Sequence, residues 1–112
     1  MKPRLLLNSA NISFGGSLQA SVAFVCEALR ESDYDWYFIL SPEALANLQD
    51  FADEPPAQRL LVTDSSPARS SVTRTNIAQF IDAVDPLALF TFLGPAYQHF
   101  SRPHMMGVAD GW

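Results

Sequence analysis

Cysteine is almost missing from this chain. Cys26 stands alone, which excludes an intramolecular disulfide and any zinc site built on thiolates, and fits a reducing, cytoplasmic setting. Positive charge is scarce as well. Seven Lys and Arg face twelve Asp and Glu, giving a net charge of −5 and an isoelectric point near 4.7. Eight of those acids lie between Glu27 and Glu54, where Arg30 is the only cation. With no basic stripe to follow a phosphodiester backbone, nucleic acid is not an expected partner. Long apolar runs are lacking too. The longest, Leu87 to Leu93, contains Thr91 and falls well short of the roughly 20 residues of a membrane-crossing helix. At the start, Leu5-Leu6-Leu7 gives way to Asn8, too early for the apolar stretch of a signal peptide. No internal repeat or low-complexity tract is present.

What the chain does have is apolar bulk. Hydrophobic residues make up 48%, including eight Phe, three Tyr and two Trp, enough for a single core in a domain of 112 residues.

Arg4 to Asn8 reads as a strand buried on both faces, because its apolar run is continuous and ends in turn residues. Leu18, Val22, Val25, Cys26 and Leu29 then recur at helical spacing, with Ser17 as the expected N-cap. Trp36 to Leu40 is the second strand by its aromatic and β-branched content. Ser41-Pro42-Glu43 opens a second helix, Ser41 as cap and Pro42 at the first helical position. Its stripe runs through Ala44, Leu45, Leu48 and Phe51 or Ala52, up to the stop at Asp53-Glu54-Pro55-Pro56. Arg59 to Thr63 is a short third strand, and the small polar residues 64–71 form the most mobile loop by composition. Ile77, Phe80, Ile81 and Val84 mark a third helix ended by Asp85-Pro86.

Leu87 to Leu93 is a central strand, closed by Gly94-Pro95, and Pro103 to Ala109 is a fifth. Alternating strands and helices imply an α/β fold of the three-layer Rossmann-like kind, an open and mainly parallel sheet of about five strands in one domain. Residues 94–102 are too few for a helical crossover. Fully extended, such a segment still reaches roughly 30 Å, enough to return along a strand of about 17 Å, so a parallel fifth strand needs no helix.

Between the first strand and the first helix lies Asn8-Ser9-Ala10-Asn11-Ile12-Ser13-Phe14-Gly15-Gly16-Ser17. A strand, a glycine loop and a helix in succession set backbone N–H groups and the positive end of the helix dipole at the carboxyl edge of a parallel sheet, where phosphate docks. The alternative is a tight loop with positive φ and no ligand. No Gly-Lys-Ser/Thr follows, so this is not a P-loop.

Four segments, Leu5 to Ser17, Phe38 to Glu43, Phe90 to Tyr97 and Pro103 to Trp112, together resemble the amino-terminal domain of a retaining, nucleotide-sugar-dependent glycosyltransferase of the two-domain GT-B type, group 1 (family 4). The resemblance covers nearly the whole chain and matches about the first third of such an enzyme. It implies the acceptor-side half, a Rossmann-like domain facing a donor-binding domain across a cleft. Gly15 and Gly16 would approach the donor diphosphate, because a glycine backbone comes within hydrogen-bond distance of an anion that a β-carbon holds away. Asn11 and Ser17 belong to the same loop, and Tyr97, His99 and residues 109–112 would line the same edge. The donor-gripping domain is not in this sequence, so the chain alone is expected to be inactive; the resemblance implies no cofactor. The competing reading is a non-enzymatic Rossmann-like module for a phosphorylated ligand or a protein partner.

Asp110, just past the last expected strand, either orients an acceptor hydroxyl or serves as a base, or else is a turn aspartate before Gly111. The histidine usual at this strand end in that family is replaced by Ala109 and Asp110. His104, inside the strand, reads as a packing histidine, and His99 as the freer one. Two histidines without neighbouring acids or thiols make no metal site. Cys26 falls on an apolar stripe as a small core residue, and Ser9 and Ser17 have no base beside them in sequence. With no helix after the fifth strand, an apolar patch beside Phe90, Phe92 and Met105 is expected to promote self-association.

Overall fold

The computed structural model describes residues 2–13, 15–92 and 96–107. Five strands form one open, all-parallel sheet: β1 (Arg4–Ser9), β2 (Asp35–Leu40), β3 (Leu60–Val62), β4 (Ala88–Thr91) and β5 (His104–Met106), in the order β3-β2-β1-β4-β5. The helices are α1 (Gly15–Arg30), α2 (Pro42–Leu48) and α3 (Ser71–Val84), with a 3-10 turn at Ala57–Arg59. The expected α/β class and parallel sheet are present, and β5 joins β4 in parallel with no helix between them.

The first strand sits in the middle, so successive side chains serve opposite cores. Leu7 packs with Val22, Val25 and Ala28 of α1 and Ala44 and Leu48 of α2. Leu6 packs on the other face with Ile77, Ile81 and Val84 of α3. This explains why β1 reads as an uninterrupted apolar run. The order of strands turns back at β1, so crossovers of one hand place α1 and α2 on one face and α3 on the other. Three layers result, and the point where the order turns back lies between β1 and β4. In open α/β sheets ligands bind in the crevice at the carboxyl end of such a point.

Several boundaries differ from the sequence expectation. Helix α1 starts at Gly15, so the diglycine forms its first turn and Ser17 lies inside the helix and is not its cap. First-turn amides have no partner within the helix, so glycine costs less there than in the interior, and Gly15 uses its freedom to hold φ at +74°. Helix α2 stops at Leu48; of the two residues expected to extend its stripe, Ala52 packs against the core and Phe51 is left 72% exposed. Strand β4 is confined to Ala88–Thr91, with Leu87 exposed. Helix α3 begins at Ser71 under a cap on Ser70, whose side chain accepts from the Thr73 amide at 3.1 Å. Among the described residues no helix is long and apolar enough to cross a membrane.

Candidate functional site

Parallel strands send all their following loops to one edge, and here four of those loops enclose a cleft of about 410 Å³. Ala10, Asn11 and Ser13 come from the loop after β1, and Ser41, Pro42 and Glu43 from the end of β2 and the start of α2. Ser65, Ser66, Ala68 and Arg69 follow β3, and Tyr97 follows β4. Among the described residues the lining combines hydroxyls, one carboxylate, one guanidinium and one phenol, a set that suits a neutral ligand rich in hydroxyl groups.

Local bonding holds these loops in place. Ser41, buried at the end of β2, accepts from the Ala44 amide at 3.0 Å and so caps α2. Its hydroxyl donates to the Ile12 carbonyl, which ties the β1 loop to the β2 loop. Pro42 occupies the first helical position, where a missing N–H costs nothing. The 64–70 loop is more ordered by hydrogen bonds than its composition suggests. Ser65 and Thr73 share a hydroxyl contact at 2.7 Å, the Ala68 amide donates to Ser66 Oγ at 3.2 Å, and Arg74 donates to the Pro67 carbonyl at 2.6 Å. Tyr97 stands at φ 65° with 46% of its surface exposed. A left-handed tyrosine is uncommon and carries a conformational cost of order 1–3 kcal/mol, and such residues cluster at ligand-binding and catalytic positions.

A polar line crosses three strands, buried at Asn8 and Thr91 and ending at the exposed His104. The Ala10 amide donates to Asn8 Oδ1 at 3.2 Å, Asn8 Nδ2 donates to Thr91 Oγ1 at 3.4 Å, and Thr91 Oγ1 meets His104 Nε2 at 2.6 Å. Because Asn8 donates into the Thr91 oxygen, the Thr91 proton is available for an unprotonated Nε2, which suits a neutral imidazole. The His104 pKa is shifted below the usual histidine value, first by partial burial of the ring and then by the nearby His99.

The residues expected from sequence separate into groups. Asn11 and Tyr97 meet in the cleft, while Gly15, Gly16, Ser17 and His99 are not part of its lining. Two amides just past the end of β1, those of Ala10 and Ile12, do not point outward to an anion. Ala10 N–H is bound to Asn8, and Ile12 N–H to the Ser9 carbonyl at 3.3 Å. Neither of these amides is left for an anion. A β-carbon at Gly16 would meet nothing within 4 Å, and its φ lies outside the left-handed range, so neither packing nor backbone demands glycine there. His104, expected as a packing residue, is exposed, though its ring stands edge-on to Phe100 at 4.9 Å. Asp110 lies outside the described residues.

Ser13, Ser65, Ser66, Glu43 and Arg69 were not expected in the site. The available signal was positional: in a parallel sheet, the residues just after every strand share one edge. Among the described residues no group of three or more His, Cys, Asp or Glu is placed to hold a metal ion, and neither histidine lines the cleft to serve as base for its serines. Comparison with protein-family models, curated proteins and solved structures finds no match to this chain.

Proposed function

We infer that this chain is the acceptor-side half of a nucleotide-sugar-dependent glycosyltransferase, binding the sugar-accepting molecule while a second domain supplies the donor. The observation that carries this reading is the cleft of about 410 Å³ at the carboxyl edge, walled by hydroxyls with Glu43, Arg69 and Tyr97 among them. Carbohydrate recognition asks for such a set: an aromatic ring against a sugar face, and mixed donors and acceptors for hydroxyl groups. Neither packing nor backbone demands glycine at Gly16, a few residues past Ser13 of the cleft, which leaves close approach by a donor diphosphate as a reason for glycine there. Leaving-group departure needs concentrated positive charge, and among the described residues Arg69 is the single cation lining the cleft. Alone, the chain binds and does not transfer. Asp110 keeps the role of orienting group or base in this proposal.

The competing reading, a self-sufficient module for a phosphorylated ligand, draws on Arg69. Amide chemical-shift titrations distinguish the two. Oligosaccharides should perturb Asn11, Ser13, Ser41 and Ser65 to Arg69, with nucleotide sugars binding weakly or not at all. A saturable nucleotide-diphosphate site with no response to any saccharide would overturn the transferase reading in favour of the module.

A further inference from the structure

We propose that the outer edge of β5, unpaired among the described residues, pairs with the β5 edge of a second copy, antiparallel about a two-fold axis through Met105, joining two sheets into one. This stands independently of the transferase reading.

The outermost strand on this side, His104–Met106, is exposed at every residue. Its bonds to β4 are fixed by Leu89 N–H to the Pro103 carbonyl and Gly107 N–H to the Thr91 carbonyl, both at 3.0 Å. In a parallel ladder alternate residues bond to the same neighbour, so Pro103, Met105 and Gly107 face β4, and the main-chain groups of His104 and Met106 face outward. Two outward residues separated by one inward residue form a self-complementary edge. Laid antiparallel, His104 of each copy opposes Met106 of the other, and each such pair exchanges both N–H···O bonds. Met105 then opposes its own equivalent, a close pairing with Cα atoms about 4.5 Å apart. The arrangement closes on itself and leaves no further copy to add at that edge.

The side chains support the same arrangement. Met105 aligns with Phe90, which stacks on Phe24 at 5.6 Å, and all three line an apolar cavity of about 180 Å³ on the α1 face. Met105 is 67% exposed, and a two-fold axis normal to the sheet sets it beside the same apolar surface of the other copy. The two sheet edges are treated differently. The opposite edge, β3, is bracketed by Arg59, which pairs with Asp35 at 3.5 Å, and by Asp64, the charges that discourage strand addition. The charge nearest β5 in sequence, Arg102, is bound to Asp82 and Asp85 at 3.2 and 3.1 Å, and His104 to Gly107 carries no acid, lysine or arginine.

Sedimentation of the 112-residue chain over a wide concentration range should show a monomer–dimer equilibrium. Met106→Pro deletes an outward N–H in each copy and spares the bonds to β4, so it should weaken the dimer roughly tenfold or more. A second readout needs no proline. In a Cys26→Ser background, mild oxidation should cross-link Met105→Cys to its own copy, because the two positions fall within disulfide reach, and should leave His104→Cys uncross-linked, because its two copies are offset along the strands beyond that reach. A strictly monomeric chain, a dimer indifferent to Met106→Pro while that variant stays folded, or equal cross-linking at both positions would overturn the proposal.

Discussion

Ser41 and Ser70 offer a matched pair, because both cap a helix and only one also spans two loops. Ser70 accepts a single bond, from the Thr73 amide at 3.1 Å, so Ser70→Ala should cost about 1 kcal/mol, the ordinary loss of an N-cap. Ser41 accepts from Ala44 at 3.0 Å and also donates to the carbonyl of the buried residue Ile12. Removing its hydroxyl costs the cap, again about 1 kcal/mol, and strips a buried carbonyl of a partner, about 1–2 kcal/mol more. The expected loss for Ser41→Ala is therefore about 2–3 kcal/mol, a fall in Tm on the order of 10–20 °C for a domain of this size. Urea unfolding followed by circular dichroism reads both variants on one scale. Equal costs for the two substitutions would show that the tie to Ile12 contributes nothing and that the cleft loops are held by other means. A larger loss at Ser41, with weakened saccharide binding in the folded fraction, would show that one hydroxyl supports both the helix and the cleft.

Three further outcomes follow from the geometry. Gly15→Ala forces a β-carbon into positive φ and should destabilise by about 1–2 kcal/mol, whereas Gly16→Ala meets open space and should be neutral or stabilise by up to about 1 kcal/mol; thermal melts with the opposite ordering would contradict the described helix start. His104 has a folded pKa below its unfolded value of 6.5, so the folded chain binds fewer protons just under that pH. Its stabilising contribution is complete above pH 6.5 and is lost as acid carries the ring through its lower folded pKa; wild type should lose more stability than His104→Asn between pH 7.5 and 5.5, and parallel losses would refute this. Asp85 ends α3 at φ 52°, so Asp85→Gly should be more stable than Asp85→Ala by about 1 kcal/mol in urea titrations, and equal stabilities would count against the left-handed cap.

How much of this was legible in the sequence depends on which interactions set each feature. The parallel α/β order follows from apolar periods that change between strand and helix, and Ser41-Pro42 marks the start of α2 by local chemistry. Where tertiary packing decides, the sequence is silent or misleading. Phe51 continues the stripe of α2, yet the chain turns after Leu48 and leaves that ring in solvent. The diglycine resembles a loop because glycine disfavours helix interiors, but a first turn does not impose that penalty. Asn11 and Tyr97 could be placed at one edge from strand order alone. Glu43, Ser65 and Arg69 join them only because β2 lies beside β1 and β3 beside β2 in the finished sheet, a relation no local window contains.

The central position of β1 also governs the order of assembly during translation. The strand made first must wait for partners on both flanks. Its β2 side is satisfied early, but its other flank stays open until residues 88–91 have left the ribosome. A nascent chain lacking them exposes half of β1 and has no wall contributed by Tyr97. The cleft therefore comes into being late, so a polypeptide stalled before that point should draw chaperones and lack the pocket proposed for the acceptor.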